Sequence, residues 1–106
     1  MDAAADAARD FSFEEICEIF APIARKHGIR RAHLFGSRAR GDNRADSDYD
    51  FMVSTPAGMG LIRLGSFLCD LEDAFGPNVD LATEGAMYRL AFIREFLRDG
   101  RLVFEE

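Results

Sequence analysis

Hydrophobic residues between positions 13 and 24 recur every three or four positions, which is the period of an α-helix. They are Phe13, Ile16, Cys17, Phe20, Ile23 and Ala24. The pattern stops at His27-Gly28, where a glycine suits the left-handed position that follows a helix. It predicts a first helix, and we expect Pro22 to kink or split it because proline removes a backbone donor.

Short apolar segments and a second helical pattern follow. The segments predict strands at residues 29–35, 48–54 and 78–82 and a short edge strand at residues 102–104. The second helix is predicted from a stripe formed by Leu61, Leu64, Leu68, Leu71 and Phe75. A third helix is predicted from Tyr88, Phe92, Phe96 and Leu97. Strands that alternate with helices indicate an α/β domain, with a small mixed β-sheet flanked by helices.

The chain is short enough to form one domain around one core. Residues 1–11 are rich in alanine and aspartate and predict a flexible tail, so the domain is expected to span residues 12–106. This length leaves no room for a separate substrate-recognition domain. No apolar stretch approaches the length of a membrane span, and the N-terminus lacks the basic residues of a signal peptide. We therefore expect a cytoplasmic protein.

Charge changes the picture in two ways. The chain has 13 Lys+Arg and 19 Asp+Glu, a formal net charge of −6, which disfavours direct binding to a nucleic-acid backbone. Residues 30–44 are nevertheless basic, and their arginines are Arg30, Arg31, Arg38, Arg40 and Arg44. They indicate either a local anion-binding site or a solvated face.

Three aspartates lie on predicted strands with apolar neighbours. Asp48 and Asp50 alternate with Tyr49 and Phe51, so the two carboxylates share one face and the apolar side chains face the core. Asp80 alternates with Val79 and Leu81 in the same way. If the strands are neighbours, each pair of carboxylates about 5 Å apart repels by about 3 kcal/mol. Such a cluster needs a shared proton or a cation, and Mg²⁺ or Mn²⁺ is the natural occupant.

A possible phosphate site precedes these aspartates. Gly36 permits close approach of an anion, and Ser37 offers a hydroxyl and nearby backbone N–H groups at the start of a predicted helical turn. Arg38 and Arg40 follow and are expected to neutralise phosphate oxygens. Taken alone, the Gly-Ser pair could be a simple turn and the Asp-x-Asp pair a polar strand edge. Together they predict phosphoryl or nucleotidyl transfer with two metal ions.

The order and spacing of these residues resemble a known signature. Gly36-Ser37, ten residues and then Asp48-Tyr49-Asp50, with Asp80 on a later strand, resemble the motif of the DNA polymerase beta-like nucleotidyltransferase superfamily. The segment LFGSRARGDNRADSDYDFMV (residues 34–53) closely resembles minimal nucleotidyltransferase (MNT-type) antitoxins. The segment VDLAT (residues 79–83) resembles their third motif.

The resemblance implies a fold, an activity and a partner. The fold is a compact sheet with flanking helices, and the activity is Mg²⁺-dependent transfer of AMP from ATP to a tyrosine of a HEPN-domain toxin, typically a ribonuclease. By the same resemblance, Asp48 and Asp50 bind both metal ions, and Asp80 binds the catalytic ion and helps to deprotonate the incoming hydroxyl. Gly36 and Ser37 hold the triphosphate.

Two other functions remain open at this level. The chain could neutralise its toxin by binding and occlusion without catalysis. It could also be a small-molecule or tRNA nucleotidyltransferase that resembles the family in its core alone.

Overall fold

A computed structural model describes residues 9–83, 94 and 97–106 of the chain. In order, the elements that it defines among these residues are α1 (Phe13–His27), β1 (Arg31–Phe35), α2 (Ser37–Arg40), β2 (Tyr49–Ser54), α3 (Leu61–Phe75), β3 (Val79–Thr83) and β4 (Arg101–Glu105). Within the described part of the chain, no helix is both long and apolar enough to cross a membrane.

The four strands form one mixed sheet in the order β3-β2-β1-β4. Strand β1 runs antiparallel to β2 and to β4, whereas β2 and β3 are parallel and are connected through α3. The predicted α/β architecture is therefore confirmed. The predicted strand bounds were wrong by one or two residues, since β1 begins at Arg31, β2 at Tyr49 and β3 at Val79.

One face of the sheet is buried under α1 and α3. Along β2, Tyr49, Phe51 and Val53 are at most 2% exposed and face this core, as the alternation predicted. Phe20 of α1 contacts the rings of Phe51, Phe67 and Phe104, so it joins both helices to the sheet. Because the core occupies this face, the aspartates that alternate with the β2 core residues are directed to the other face.

Helix α1 is uninterrupted from Phe13 to His27, so the expectation that Pro22 splits it was wrong. Ser12 and Glu15 form a capping box at its start, and Gly28 ends it at φ 72°. Pro22 lies on the exposed side of the helix, where water can satisfy the carbonyl that proline leaves without a donor. The caps and the buried face of α1 therefore hold the helix together across the proline.

The predicted apolar stripe of α3 was only partly right. Leu71 and Phe75 are buried, but Leu61 is 85% exposed, and the buried position in the middle of the helix is Phe67. Leu61 lies in the first turn, beyond the part of α3 that packs on the core. The helical period identifies the apolar face of a helix, but it does not show how much of that face is buried against the core.

Two predictions fall wholly or mainly outside the described residues. The third helix was predicted from Tyr88 to Leu97, where Arg94 and Leu97 alone are described. The predicted flexible tail covers residues 1–11, of which residues 9–11 are described. These three residues are docked against the domain, as detailed below.

Candidate active site

The strand register brings three carboxylates together. Asp50 of β2 lies directly opposite Asp80 of β3, and Asp48 precedes β2 by one residue on the same face as Asp50. Each offers one carboxylate oxygen, and these three oxygens all lie within 4.8 Å of one another. The predicted convergence is confirmed.

The chemistry of the cluster suits a hard divalent cation. At this separation, each pair of carboxylates repels by about 3 kcal/mol at an effective dielectric constant near 20. The donor set consists of oxygens, which Mg²⁺ and Mn²⁺ prefer. Asp48 and Asp80 are exposed and Asp50 is partly buried, so the cluster faces solvent and a substrate can reach it. The three residues therefore fit the metal centre that the sequence predicted.

Gly36 connects this cluster to the end of β1. Phe35 pairs with Asp50 in the sheet, so the next residue, Gly36, turns beside the Asp50 carboxylate. Its φ of 76° and ψ of −158° are accessible to glycine and strained for other residues. A Cβ atom at this position would collide with Oδ2 of Asp50. Both the conformation and the close approach require glycine.

Ser37 begins the short helix α2, as predicted. The Gly36 carbonyl accepts the Ala39 and Arg40 amides, both at 3.1 Å, and this closes the turn. The Ser37 and Arg38 amides come before these two, at the start of the helix, where N–H groups have no partner within the helix. The turn at Gly36 adjoins the Asp50 carboxylate, and Ser37 adds a hydroxyl and an amide to it, as expected of a phosphate-binding turn.

Arg38 does not face this site, contrary to the sequence-based expectation. Its side chain is 2% exposed, and its guanidinium lies 3.9 Å from the ring centre of Tyr49. Tyr49 points to the core face, whereas Asp48 and Asp50 point to the opposite face. The prediction that Arg38 neutralises phosphate is therefore corrected to a structural role.

Arg40 stays on the surface. Its guanidinium donates to Asp42 and Asp99, each at 3.2 Å, and the hydrogen bond to Asp42 is the main cause of the raised pKa of Arg40. The expectation that it contacts a nucleotide stays a prediction. The pair with Asp42 is exposed and therefore weak, so a phosphate could replace Asp42 at small cost.

The basic residues between positions 30 and 44 do not share one anion. Arg31 pairs with Glu105 at 2.8 Å, Arg38 with Asp10 at 2.8 Å, and Arg40 with Asp42. Two of these partners, Glu105 and Asp10, are distant in sequence from the arginines that they neutralise.

The structure also assigns contacts to residues that sequence reasoning left in the tail. The Phe11 amide donates to the Tyr49 hydroxyl at 3.1 Å, and the ring of Phe11 packs edge-on against Phe75 at 5.9 Å. The aromatic residue Phe11 at the end of the predicted tail is a signal that could have indicated docking.

Comparisons with known proteins agree with this geometry. A family model described as polymerase beta, nucleotidyltransferase matches residues 14–106. A protein of Methanocaldococcus jannaschii, provisionally named a protein adenylyltransferase, is 35% identical over 79 residues, which span 74% of this chain and 85% of that protein.

Solved structures share the fold. One described provisionally as a minimal nucleotidyltransferase is 28% identical with a TM-score of 0.71, over 88% of this chain and 97% of that chain. A chain in the complex of a tri-AMPylated Shewanella oneidensis HEPN toxin with MNT antitoxin has a TM-score of 0.65. It is 16% identical over 89% of this chain and 73% of that chain, a likeness that concerns the fold alone.

Proposed function

The chain belongs to the polymerase beta nucleotidyltransferase family, and from that premise we propose that it is an antitoxin that transfers AMP from ATP to a HEPN-domain toxin. The acceptor is a hydroxyl, which we assign to a tyrosine, and the toxin is a ribonuclease that the modification neutralises. The observation that carries the proposal is the meeting of Asp48, Asp50 and Asp80 beside the Gly36-Ser37 turn. We also propose that the chain acts in the cytoplasm, where it meets both ATP and the toxin.

The reaction is an in-line displacement at the α-phosphorus of ATP. The acceptor oxygen forms a bond to this phosphorus, the bond to the bridging oxygen of pyrophosphate breaks, and pyrophosphate leaves. The hydroxyl proton passes to the Asp80 carboxylate, which is exposed and can receive it. Asp48 and Asp50 would hold two Mg²⁺ ions, or Mn²⁺ in their place, and Asp80 would share the catalytic one. When bound, the ions stabilise charge on the attacking and leaving oxygens.

The Gly36-Ser37 turn orients the triphosphate in this proposal. The Ser37 hydroxyl and the first-turn amides of α2 donate to phosphate oxygens, and Gly36 leaves space for them next to Asp50. Arg40 is the nearby exposed cation that can add a contact. Holding ATP this way aligns the reacting atoms before the acceptor arrives.

The partner is supported by the relatives and by the net charge of the chain. The M. jannaschii relative is named for protein adenylylation, and the S. oneidensis complex contains an AMPylated toxin. A net charge of −6 suits an acceptor on a protein better than a nucleic-acid acceptor.

Intact-mass spectrometry tests the proposal. The toxin partner is isolated from cells that co-express it with the doubly substituted Asp48→Asn/Asp50→Asn chain, so that it is unmodified, and is then mixed with wild-type chain, ATP and Mg²⁺. We expect the partner to gain whole AMP units and lose toxicity. The matched control is Asp46→Asn, which alters an exposed aspartate of the same acidic run outside the carboxylate cluster.

Three results would contradict the proposal. Full neutralisation by the Asp48→Asn/Asp50→Asn chain would favour occlusion. If Asp46→Asn lost AMP transfer to the same extent as Asp48→Asn/Asp50→Asn, the carboxylate cluster would have no special role. Transfer of AMP to a free small molecule or tRNA without any partner protein would favour the alternative function, that of a small-molecule or tRNA nucleotidyltransferase.

A further inference from the structure

Arg38 is a buried cation with an unusually complete set of partners. Its Nε donates to the Ser47 carbonyl at 3.0 Å, its Nη2 to the Ala45 carbonyl at 3.1 Å, and its Nη1 to Asp10 at 2.8 Å. The guanidinium plane also lies against the ring of Tyr49. A cation that is 98% buried is stable only when it is paired and hydrogen-bonded in this way.

Two of these bonds reach the segment that leads into the carboxylate cluster. The Ser47 carbonyl belongs to the peptide group whose nitrogen is that of Asp48. The same segment is closed by two bonds between Arg44 and Ser47, from the Arg44 amide to the Ser47 hydroxyl at 2.8 Å and from the Ser47 amide to the Arg44 carbonyl at 3.1 Å. Since Asp48 precedes β2, its backbone direction depends on this turn as well as on the sheet.

The other end of Arg38 is held by the N-terminal segment. Asp10 pairs with the guanidinium and also accepts from the side-chain Nδ2 of Asn43 at 3.4 Å. The Tyr49 hydroxyl accepts from the Phe11 amide and donates to the Arg9 carbonyl, which keeps Asp10 in place. Residues 9–11 therefore act as a strap across the side of the domain behind the carboxylates.

We propose that Arg38 is a positioning residue for Asp48: with Asp10 as its counter-ion, it holds the 45–47 turn so that the Asp48 carboxylate meets those of Asp50 and Asp80. This rests on the proposed function, because it concerns the same metal-binding carboxylates. The side chain of Arg38 acts from the core face and does not touch the nucleotide. It also joins α2, which carries the phosphate-binding turn, to the segment that carries the first carboxylate.

The proposal separates Arg38 from a phosphate-binding arginine. Loss of a phosphate ligand raises the KM for ATP even when metal is saturating. Loss of a residue that orients Asp48 instead weakens the metal site in the absence of nucleotide and is compensated by excess metal. A residue that only stabilises the fold changes the melting temperature without a selective effect on metal binding.

The test measures Mn²⁺ binding by calorimetry without nucleotide, on the full chain and its variants. We expect Arg38→Lys to raise the Kd for Mn²⁺ about tenfold, which is typical when a group that orients a metal ligand is altered. Asp10→Ala, which leaves the carbonyl bonds of Arg38 in place, should raise it by a smaller factor. Amide hydrogen exchange at residues 45–48 should accelerate in the same order. The KM for ATP at saturating Mg²⁺ should stay within about twofold of wild type, since uniform binding of ATP is unchanged.

Glu105→Ala is the matched control, because it removes another 2.8 Å arginine pair from the opposite end of the sheet. It should leave Mn²⁺ binding and exchange at residues 45–48 unchanged. If Arg38→Lys does not fold, Asp10→Ala carries the test. Unchanged Mn²⁺ binding in a folded Asp10→Ala and Arg38→Lys would overturn this inference alone. Wild-type chain that binds no Mn²⁺ would overturn the metal site on which the proposed function also depends.

Discussion

At the scale of single residues, the site depends on the side chains that are present and also on the Cβ atom that one glycine lacks. Gly36 has no Cβ, and the vacant volume is where the Asp50 carboxylate lies. Arg38 is the opposite case. Its side chain was expected at the site, but it lies on the other face, where it contacts Tyr49 and Asp10. The geometry of the site therefore depends more on the backbone turn next to the Asp50 carboxylate than on the number of cations nearby in the sequence.

Alanine at Gly36 should reduce both activity and stability. The new Cβ would displace the Asp50 carboxylate, so we expect AMP transfer by the folded variant to fall at least about tenfold, or about 1.4 kcal/mol of transition-state stabilisation. The control is Gly41→Ala, where φ is 85° but no atom lies within 4 Å of the new Cβ. That change should cost about 1–2 kcal/mol in the free energy of unfolding and leave transfer unchanged. Urea unfolding and initial rates measure the two effects. An equal fall in the transfer rate of both variants would show that backbone strain, not the collision with Asp50, is responsible.

At the scale of elements, local signals define α1 and only part of α3. Helix α1 carries its own start and stop signals in Ser12, Glu15 and Gly28, and these persist despite Pro22. Helix α3 begins at Leu61 and has Gly60 at its N-cap, which offers no side-chain cap, and its first turn exposes Leu61 and Ile62. The stability of α3 therefore depends on its buried end, at Phe67, Leu71 and Phe75.

Removal of the α1 cap should destabilise the domain measurably. Ser12→Ala deletes the side chain that accepts from the Glu15 amide, and we expect a loss of about 1 kcal/mol in the free energy of unfolding. Ser66→Ala is the control, because Ser66 is exposed inside α3 and alanine is the better helix former. Urea titrations should move the two variants in opposite directions. A Ser12→Ala midpoint equal to wild type would mean that the capping box contributes nothing.

At the scale of the whole molecule, Asp70 forms a polar link between the two helices that cover the sheet. Asp70 of α3 accepts from Lys26 at 3.0 Å and lies 2.6 Å from Nε2 of His27, both at the end of α1. The hydrogen bond with His27, followed by that with Lys26, lowers the pKa of Asp70. His27 is nearly buried, so this link lies where helix packing meets solvent.

This link should make stability depend on acid pH. Because the pKa of Asp70 is lowered in the folded state, its stabilisation is present above the ordinary value of 3.8 and is lost as the pH falls through the lower folded value. We expect Asp70→Asn to melt below wild type at neutral pH, by a difference that shrinks once the pH falls below about 4, the ordinary range of the carboxyl group. Asp73→Asn, an exposed change on the same helix, is the control. A difference that is constant from neutral pH to pH about 3 would exclude the Asp70 carboxylate as its source.

Much of the fold and the carboxylate cluster could be predicted because their signals are local. The period of two in Tyr49-Asp50-Phe51 separates a core face from a polar face wherever the strand lies. The Gly-Ser turn and its distance from Asp48 are likewise properties of the chain, and so is the helical period of α1. The meeting of Asp50 with Asp80 needed one further assumption, that the two strands are neighbours, and the sheet register confirms it.

Other features were decided by tertiary structure, because they depend on partners that are distant in sequence. Arg38 and Arg40 look alike beside the Gly-Ser turn, yet Arg38 is buried against Tyr49 and Asp10 while Arg40 stays exposed. The docking of residues 9–11 and the exposure of Leu61 likewise depend on which surfaces meet. The sequence by itself determined which faces are apolar and which carry carboxylates, since side-chain direction follows backbone period. Only the folded chain decided which charged groups pair, because burial makes an unpaired charge too costly and selects its partner in three dimensions.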